Sequence, residues 1–436
     1  PLTGVGLRGC EKKNAEKIRK VIFETLTDIC NNGISDDDLA ATCMAFEFSI
    51  RENVRLSGPH SLSILNRCMQ GWDYDCKPWE TLDFRKNFSY IKNKIKGDKD
   101  YLPYLTRRNL LSNKSTSLIT VTPSASWSKK RDALEKETIR NLLSKTDIAC
   151  VEKKVSKMIA FQNKEESDEE RALIPHLNIK DLSAKIEKIS TKKEEICGLN
   201  LFVNKENTNG IVYFNLAFPA DTLKAEDYSC LSSLCTSVTQ VGLKDESWDS
   251  FMHRVQCATG SFSVYPRTGV AAKNLPKEVL DLSYVGRDWL VFQFKALEEK
   301  TEEAFSILAD CLNKTDFSDT VRLQDLLNSR ANSLSTSLVP YGHIYASSRA
   351  GGFTNRVCAV REIWDGITDI ENAKKMASQN IEESAKLLRR VFSDLKKGGA
   401  VINIIGTAAG IKICKNILPK FIKEADIRPL KGRRKN

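Results

Sequence analysis

The side chains able to do metal, nucleophilic or acid–base chemistry are the place to start. The 436-residue sequence has four histidines, 13 cysteines and 56 acidic residues. A zinc site needs three or four ligands that converge, often from one helix. His60, His176, His253 and His343 are far apart in the chain, and no Cys-x-x-Cys occurs. Asp249 and His253 fall on one helix face, a spacing that suits a surface hydrogen bond. Cys230 and Cys235 share a predicted helix, but five residues at about 100° each turn through about 500°, so the thiols point apart. No Gly-x-Ser-x-Gly elbow is present. A Cys–His nucleophile pair would show only in the fold, and no cysteine is singled out by its neighbours. Paired carboxylates are too frequent here to mean anything without geometry.

Two glycine patterns bear on phosphate binding. Gly4, Gly6 and Gly9 spell Gly-x-Gly-x-x-Gly, but a dinucleotide fold needs a strand before the motif and a helix opening inside it. Three residues precede Gly4, and the helix starts late, so these glycines are expected in a strand and its exit turn. Gly406 and Gly410 lie between a strand and a helix. A phosphate loop needs four residues between its glycines, then Lys and Ser or Thr. Here the interval is three and Ile411-Lys412-Ile413 follows, so an ordinary strand-to-helix turn is expected. No catalytic, cofactor-binding or metal-ligating residue is assigned.

The elements around these residues follow from periodicity. Cys197, Leu199, Leu201 and Val203 alternate with other residues, as do Val212, Phe214, Leu216 and Phe218, so each set lines one face of a sheet. Asn209-Gly210 between them predicts a hairpin. Pro219 ends the second strand. Helices are expected over Ala225–Val241 and Ser247–Ala258, then a strand over Ser261–Pro266. A strand at Tyr284–Lys295 follows, with Leu290, Phe292 and Phe294 on one face. Helices are expected over about 299–313, 319–337 and 371–396, a strand over Ala400–Ile405, and a last helix over about 408–424.

Earlier in the chain, Ala15, Ile18, Ile22, Leu26 and Ile29 mark a helix over 13–32 that Gly33 terminates. Ser35 with Asp38 caps the next, about 36–53. Helices near 60–71, 78–96 and 100–112 precede a predicted strand at Leu118–Thr122. The charged stretch of about 126–168 carries Leu134, Ile139, Leu142 and Leu143, then Ile148, Val151, Val155 and Met158. That suits two antiparallel helices, a helical hairpin acting as a linker.

Composition narrows the class. A 41% hydrophobic and 28% charged chain of this length is globular with two or three domains. No apolar run reaches the roughly 18 residues of a membrane span. The best, Ala400–Cys414, is broken by Asn403, Gly406, Gly410 and Lys412. The chain opens on Pro1 with no signal-peptide pattern, which reads as a processed or internal end. The net charge of +11 comes from Lys and Arg spread among Glu and Asp without interleaved aromatics, which favours solvated faces over nucleic acid. The tail, Lys431, Arg433, Arg434 and Lys435, is expected to be an exposed, frayed basic end. An odd number of cysteines, several inside apolar periodic segments, implies small buried hydrophobes and a reducing compartment, cytoplasm or organelle matrix.

Several stretches, taken in order, resemble the presequence-protease branch of the pitrilysin-type zinc metallopeptidases, which includes falcilysin. Met44-Ala-Phe-Glu-Phe-Ser-Ile-Arg-Glu52 resembles a helix of the Glu-Phe-x-x-Arg-Glu kind. Gly58 through Leu65, then Gly71-Trp72-Asp-Tyr-Asp75 and Pro78, resembles the stretch that follows, with Cys76-Lys77 where Asp often precedes the Pro. Ile174-Pro175 through Leu182 resembles the entry to a third domain. Gly198–Pro219, Val241-Gly242 and Cys257-Ala-Thr-Gly260 resemble that domain's opening.

The resemblance implies an α+β fold of repeated pitrilysin-type (metallohydrolase-like) domains, with antiparallel-rich sheets, helices packed on them and a helical hairpin joining them. It places the end of one domain at 1–125, the hairpin at 126–180, a second, non-catalytic domain at 181–430 and a basic tail at 431–436. It implies a central section of a zinc metalloendopeptidase that degrades unfolded peptides in a chamber, with wall and hinge supplied here. The partners implied are unfolded peptides and the N-terminal catalytic and C-terminal domains of the same parent chain, with no nucleic acid and no membrane. Zinc belongs to the parent. The family's His-x-x-Glu-His does not occur in this sequence, so no zinc ligand or catalytic residue is carried over and this chain alone is expected to be inactive. In the active repeat, the helix after the first hairpin holds the zinc. Here it reads Tyr228-Ser-Cys-Leu-Ser-Ser-Leu-Cys235. Two other classes stay open at this point: a catalytically inactive scaffold of the same repeats, and a basic nucleic-acid-binding protein.

Overall fold

The computed structural model describes residues 3–52, 59–184, 189–270 and 285–431. The chain forms two compact units, Pro1–Gly33 with Lys99–Lys188, and Ile34–Asp98 with Ile189–Asn436. The stretch expected to close the first domain is therefore divided between them. No helix among the described residues is long and apolar enough to cross a membrane.

The first unit is helical. Its helix α1 (Ala15–Asn32) stops at Gly33, whose φ of 80° suits a residue without Cβ and whose N–H reaches Ile29 O at 3.0 Å. Cys30 is its one buried residue. The Cys30 thiol donates to Pro103 O in α5 (Tyr101–Thr106), and Arg107 Nη2 donates to Cys30 O at 2.8 Å, closing an orphan carbonyl of the helix end. Helix α5 runs on into a π-helical turn, Arg107–Leu111. Helices α6 (Trp127–Leu143) and α7 (Ile148–Gln162) form where the linker was expected, with Asp147 capping α7 through Cys150 N. The short α8 (Asp168–Ala172) opens with a Ser167/Glu170 capping box. No residue of α6, α7 or α8 is buried.

Two expectations fail in this unit. Leu118–Thr122 has no regular structure and pairs with no strand among the described residues, so its β-branched residues find no ladder. A strand exists only where its N–H and C=O groups meet a neighbour. Gly4, Gly6 and Gly9 also lie in irregular chain rather than in a strand, with Gly9 at a φ of 79°.

The second unit is built on a mixed six-stranded sheet of order β1-β2-β6-β3-β5-β4, and the expected α+β class holds. The strands are β1 (Thr191–Ile196), β2 (Leu199–Lys205), β3 (Ile211–Pro219), β4 (Ser261–Thr268), β5 (Asp288–Leu297) and β6 (Val401–Gly406). The expected pairing of β2 with β3 is wrong. Asn209-Gly210 does make a tight reverse turn, with φ of 54° and 78° and Ile211 N bonded to Thr208 O at 3.1 Å. Yet β6 lies between the two strands, parallel to β2 and antiparallel to β3. The true hairpin is β1–β2, turned by Cys197 and Gly198 at φ of 49° and 79°. Strand β1, Thr-Lys-Lys-Glu-Glu-Ile, gave no apolar period to find because it is a solvent-exposed edge.

One sheet face is sealed. Leu201, Val203, Phe214, Leu216, Phe292, Phe294, Ile402 and Ile404 point into a single core. The Phe214 ring is stacked on Phe294 at 5.0 Å and meets Phe305 edge-on at 4.6 Å. The helices on this face are α9 (Leu231–Val238), α10 (Trp248–Ala258), α11 (Thr301–Lys314), α12 (Thr320–Ser337), α14 (Arg356–Asp365), α15 (Ile367–Ser378), α16 (Ile381–Lys396) and α17 (Ala408–Glu424). The helix expected over 371–396 is two helices, broken where the Asn380 side chain caps Glu382 N at 2.8 Å. Helices α13 (Gly342–Gly351) and α14 were not expected, because neither carries a sustained apolar stripe.

The opposite face receives α2 (Asp36–Arg51). Met44 and Phe48 pack with Ile211, Leu297 and Tyr213, while Glu52 accepts from Lys295 Nζ at 2.8 Å and Tyr213 OH at 3.1 Å. The Phe48 ring lies so close over Gly260 that a Cβ there would collide with it. Helices α3 (His60–Trp72) and α4 (Phe84–Gly97) complete the unit.

Candidate functional site

The segment that the resemblance sets against a zinc helix follows β3. The chain leaves β3 at Pro219, turns through 3-10 segments at Ala220–Thr222 and Ala225–Cys230, and enters α9. The helix expected over Ala225–Val241 is thus shorter and starts as a tighter coil. Leu231, Leu234 and Val238 face the sheet and are buried. Ser232 Oγ donates to Trp364 O at 2.8 Å, pinning the back of α9 to α14.

This donor set does not fit zinc. Burial, reinforced by Asp227, pushes the Cys230 thiol up to about 12, and burial pushes Cys235 up as well. Zinc takes three or four converging ligands, and Tyr228–Cys235 offers two thiols five residues apart with no His or Glu. Cys230 instead donates to Asp227 O at 3.2 Å. Among the described residues no group of three or more His, Cys, Asp or Glu is arranged to hold a metal ion.

Charged side chains do surround α9, but as closed pairs. Buried Asp227 accepts from Arg390 Nη2 at 2.6 Å and Nη1 at 3.2 Å. Asp288, fully buried, accepts from Tyr228 OH at 2.9 Å and Thr268 Oγ1 at 2.6 Å, and it also takes Arg356. Burial and the Asp288 carboxylate raise the Tyr228 hydroxyl, which stays protonated as a donor. Arg287 holds Asp221 from Nη2 at 2.7 Å, and Arg330 Nη2 holds Asp369 at 2.7 and 2.9 Å. Each carboxylate is bonded to an arginine, which ties these elements together, while burial pushes Asp369 up to about 6 against the pull of Arg330. Sequence reasoning missed this network. Its one trace is an Asp at the mouth of an apolar strand, as in Asp288-Trp-Leu-Val-Phe292.

The other singled-out residues scatter. His60 begins α3, and His343 is exposed on α13. His176 Nε2 donates to Arg171 O at 2.9 Å. Gly406 to Gly410 is a plain strand-to-helix turn in which the Thr407 hydroxyl caps α17 through Gly410 N at 3.1 Å. Asp249 does not pair with His253. It sits in the first turn of α10, held below the usual carboxylate range by the Ser247 hydroxyl. The partner of His253 is Asp38, 3.1 Å away in α2. The other ring nitrogen of His253 faces Cys257 Sγ at 3.8 Å.

Comparison with known proteins follows the same line. Residues 121–376 match the family described as peptidase M16 (subfamily C) associated. Presequence protease 1, chloroplastic/mitochondrial, of Arabidopsis thaliana is 23% identical over 434 residues, covering 97% of this chain and 39% of that protein. Protein HypA of Clostridium perfringens is 25% identical over 410 residues, 92% of this chain and 41% of that protein. The mitochondrial presequence protease of Schizosaccharomyces pombe is 21% identical over 431 residues, 97% of this chain and 42% of that protein. The chain spans about two fifths of the length of these relatives. The resemblance to the presequence-protease branch of the pitrilysin-type peptidases therefore holds. With more than half of its length matched, the chain belongs to the family of proteins associated with subfamily C of the M16 peptidases.

Proposed function

We propose that this chain is a non-catalytic central section of a zinc metalloendopeptidase of the presequence-protease kind. Residues 1–125 would end one pitrilysin-type domain, 126–180 would form the hinge and 181–430 a second domain without metal. In the parent protein this section would supply chamber wall, limiting entry to unfolded peptides. The domain that binds zinc and a C-terminal domain would come from elsewhere in the parent chain. A reducing compartment, cytoplasm or organelle matrix, suits its unpaired cysteines.

One observation carries the reading. By the resemblance, helix α9 stands in the place of a zinc helix behind β3, and its side chains are Leu, Ser, Thr, Val and the single thiol of Cys235, with Cys230 just before it and no His or Glu. In the parent, zinc supplies the activated water for peptide hydrolysis. No residue assigned here would touch the scissile bond. This section's contribution is to shape the space around the substrate.

The test is peptide cleavage by the purified chain with added zinc, followed by mass spectrometry on an unfolded peptide. No cleavage is expected. Cleavage that a chelator abolishes would show a catalytic centre in this chain and refute the proposal.

A further inference from the structure

Helix α10 presents a nucleophile and a base, and α2 brings an orienting carboxylate to them. His253 and Cys257 stand four residues apart on one helix face. His253 Nε2 lies 3.1 Å from Asp38 Oδ1, and Nδ1 lies 3.8 Å from Cys257 Sγ. A carboxylate only accepts, so Nε2 carries the proton and Nδ1 turns a lone pair to the thiol. Asp38 is itself fixed. Its carboxylate accepts from Ser35 Oγ at 2.6 Å, and the Ser35 and His253 hydrogen bonds hold it below the usual carboxylate range.

We propose that Cys257 is a site of covalent modification by thiol–disulfide exchange, with His253 as its general base and Asp38 as the residue that positions the imidazole. The reaction partner is a low-molecular-weight disulfide. As Cys257 Sγ attacks one sulfur of that disulfide, its proton passes to His253 Nδ1. A new sulfur–sulfur bond forms, the partner's own bond breaks, and the departing thiolate takes the proton back from the imidazolium. Cys257 ends oxidised in a mixed disulfide, and half of the partner leaves as reduced thiol.

The base is needed because the thiol does not ionise unaided. Burial, Asp37, Asp38 and Glu303 push the Cys257 thiol upward, with Lys300 alone opposing. A neutral thiol becomes nucleophilic here only if its proton is removed within the step. The side chain is half-buried, so solvent and a small disulfide reach it.

The adduct would have a structural consequence. Cys257 Sγ also contacts Asp37 O, 3.8 Å away in the first turn of α2. A bulky group on sulfur occupies that space and lifts the start of α2 from α10.

The experiment treats the reduced full chain with glutathione disulfide and follows each cysteine by peptide mapping. Exposed Cys197, in the β1–β2 turn, is the internal reference. Cys257 is expected to form the mixed disulfide. In His253→Gln its rate should fall by about a hundredfold, the lower range of general-base contributions, while that of Cys197 stays unchanged. Asp38→Asn, a substitution at an exposed carboxylate, should slow Cys257 by a smaller factor. Loss of fold would speed Cys257 by exposing it, so an unfolded variant cannot imitate the expected result. A Cys257 that stays unmodified in the unaltered chain, or that reacts no more slowly in either variant, overturns the proposal.

Discussion

Helices α7 and α9 carry similar apolar stripes and end in opposite surroundings. In α9, Leu231, Leu234 and Val238 retain 0%, 0% and 1% of their exposure. In α7, Val151, Val155 and Met158 retain 42%, 41% and 52%. Spacing alone tells the two stripes to form helices and says which side of each is apolar. It does not say what covers that side. For α9 the cover is a sheet whose Phe214, Phe292 and Phe294 lie on the same face. For α7 nothing among the described residues buries the stripe. A contiguous exposed apolar face is a feature of surfaces that meet another body.

Core truncation should separate these regions most sharply. Phe214→Ala removes a ring that meets Phe294, Phe305 and Phe421. It should cost about 3–5 kcal/mol in denaturant unfolding of the second unit. Val155→Ala in α7 should cost under about 0.5 kcal/mol. Equal losses would erase the distinction.

The buried ion pairs come next. Asp369→Asn removes the carboxylate to which the Arg330 guanidinium, whose side chain is 12% exposed, is hydrogen-bonded, leaving Asp365 as the acidic group near it. A loss of about 3 kcal/mol is expected. Arg330→Met with Asp369→Leu should recover most of it, since removing both charges removes the penalty. A single variant as stable as the parent would show that the pair does not hold α12 to α15.

Gly260→Ala tests the seating of α2. The new methyl meets the Phe48 ring, and about 1–3 kcal/mol of overpacking cost is expected. The companion Phe48→Leu should relieve part of it. Failure of that rescue would place the strain elsewhere.

The smallest effect is electrostatic. Burial works against ionisation of Glu362, but hydrogen bonds from Thr368 and the Arg349 guanidinium outweigh it and hold its carboxyl below the ordinary 4.5. A depressed carboxylate stabilises the fold above its unfolded value and ceases to as pH falls through the folded one. Melting temperature should therefore drop on acidification below about pH 4.5, and Glu362→Gln should flatten that slope. An unchanged slope in the variant would assign the acid sensitivity to other groups.

Much of the fold was legible because β3, β5 and β6 bury one face and so alternate cleanly. Edge strand β1 buries little, and its Thr-Lys-Lys-Glu-Glu-Ile run looks like any charged loop. The turn at Asn209-Gly210 was legible, since positive φ selects those residues. Its strand pairing was not, because the strand that intervenes lies far along the chain, as Asn204 bonded to Asn403 shows. The same limit governs the candidate site. That Tyr228–Cys235 has no His or Glu could be read from the sequence. The pairing of His253 with Asp38, 215 residues earlier, could not.

The central claim is that α9 keeps the architecture of a zinc helix without the chemistry. Its most direct test is zinc titration of the reduced full chain at neutral pH, followed by calorimetry, beside a Cys230→Ala/Cys235→Ala variant. The account predicts the same weak, unsaturating heats from both proteins. A single saturable zinc site in the unaltered 436-residue chain that the double variant loses would contradict it.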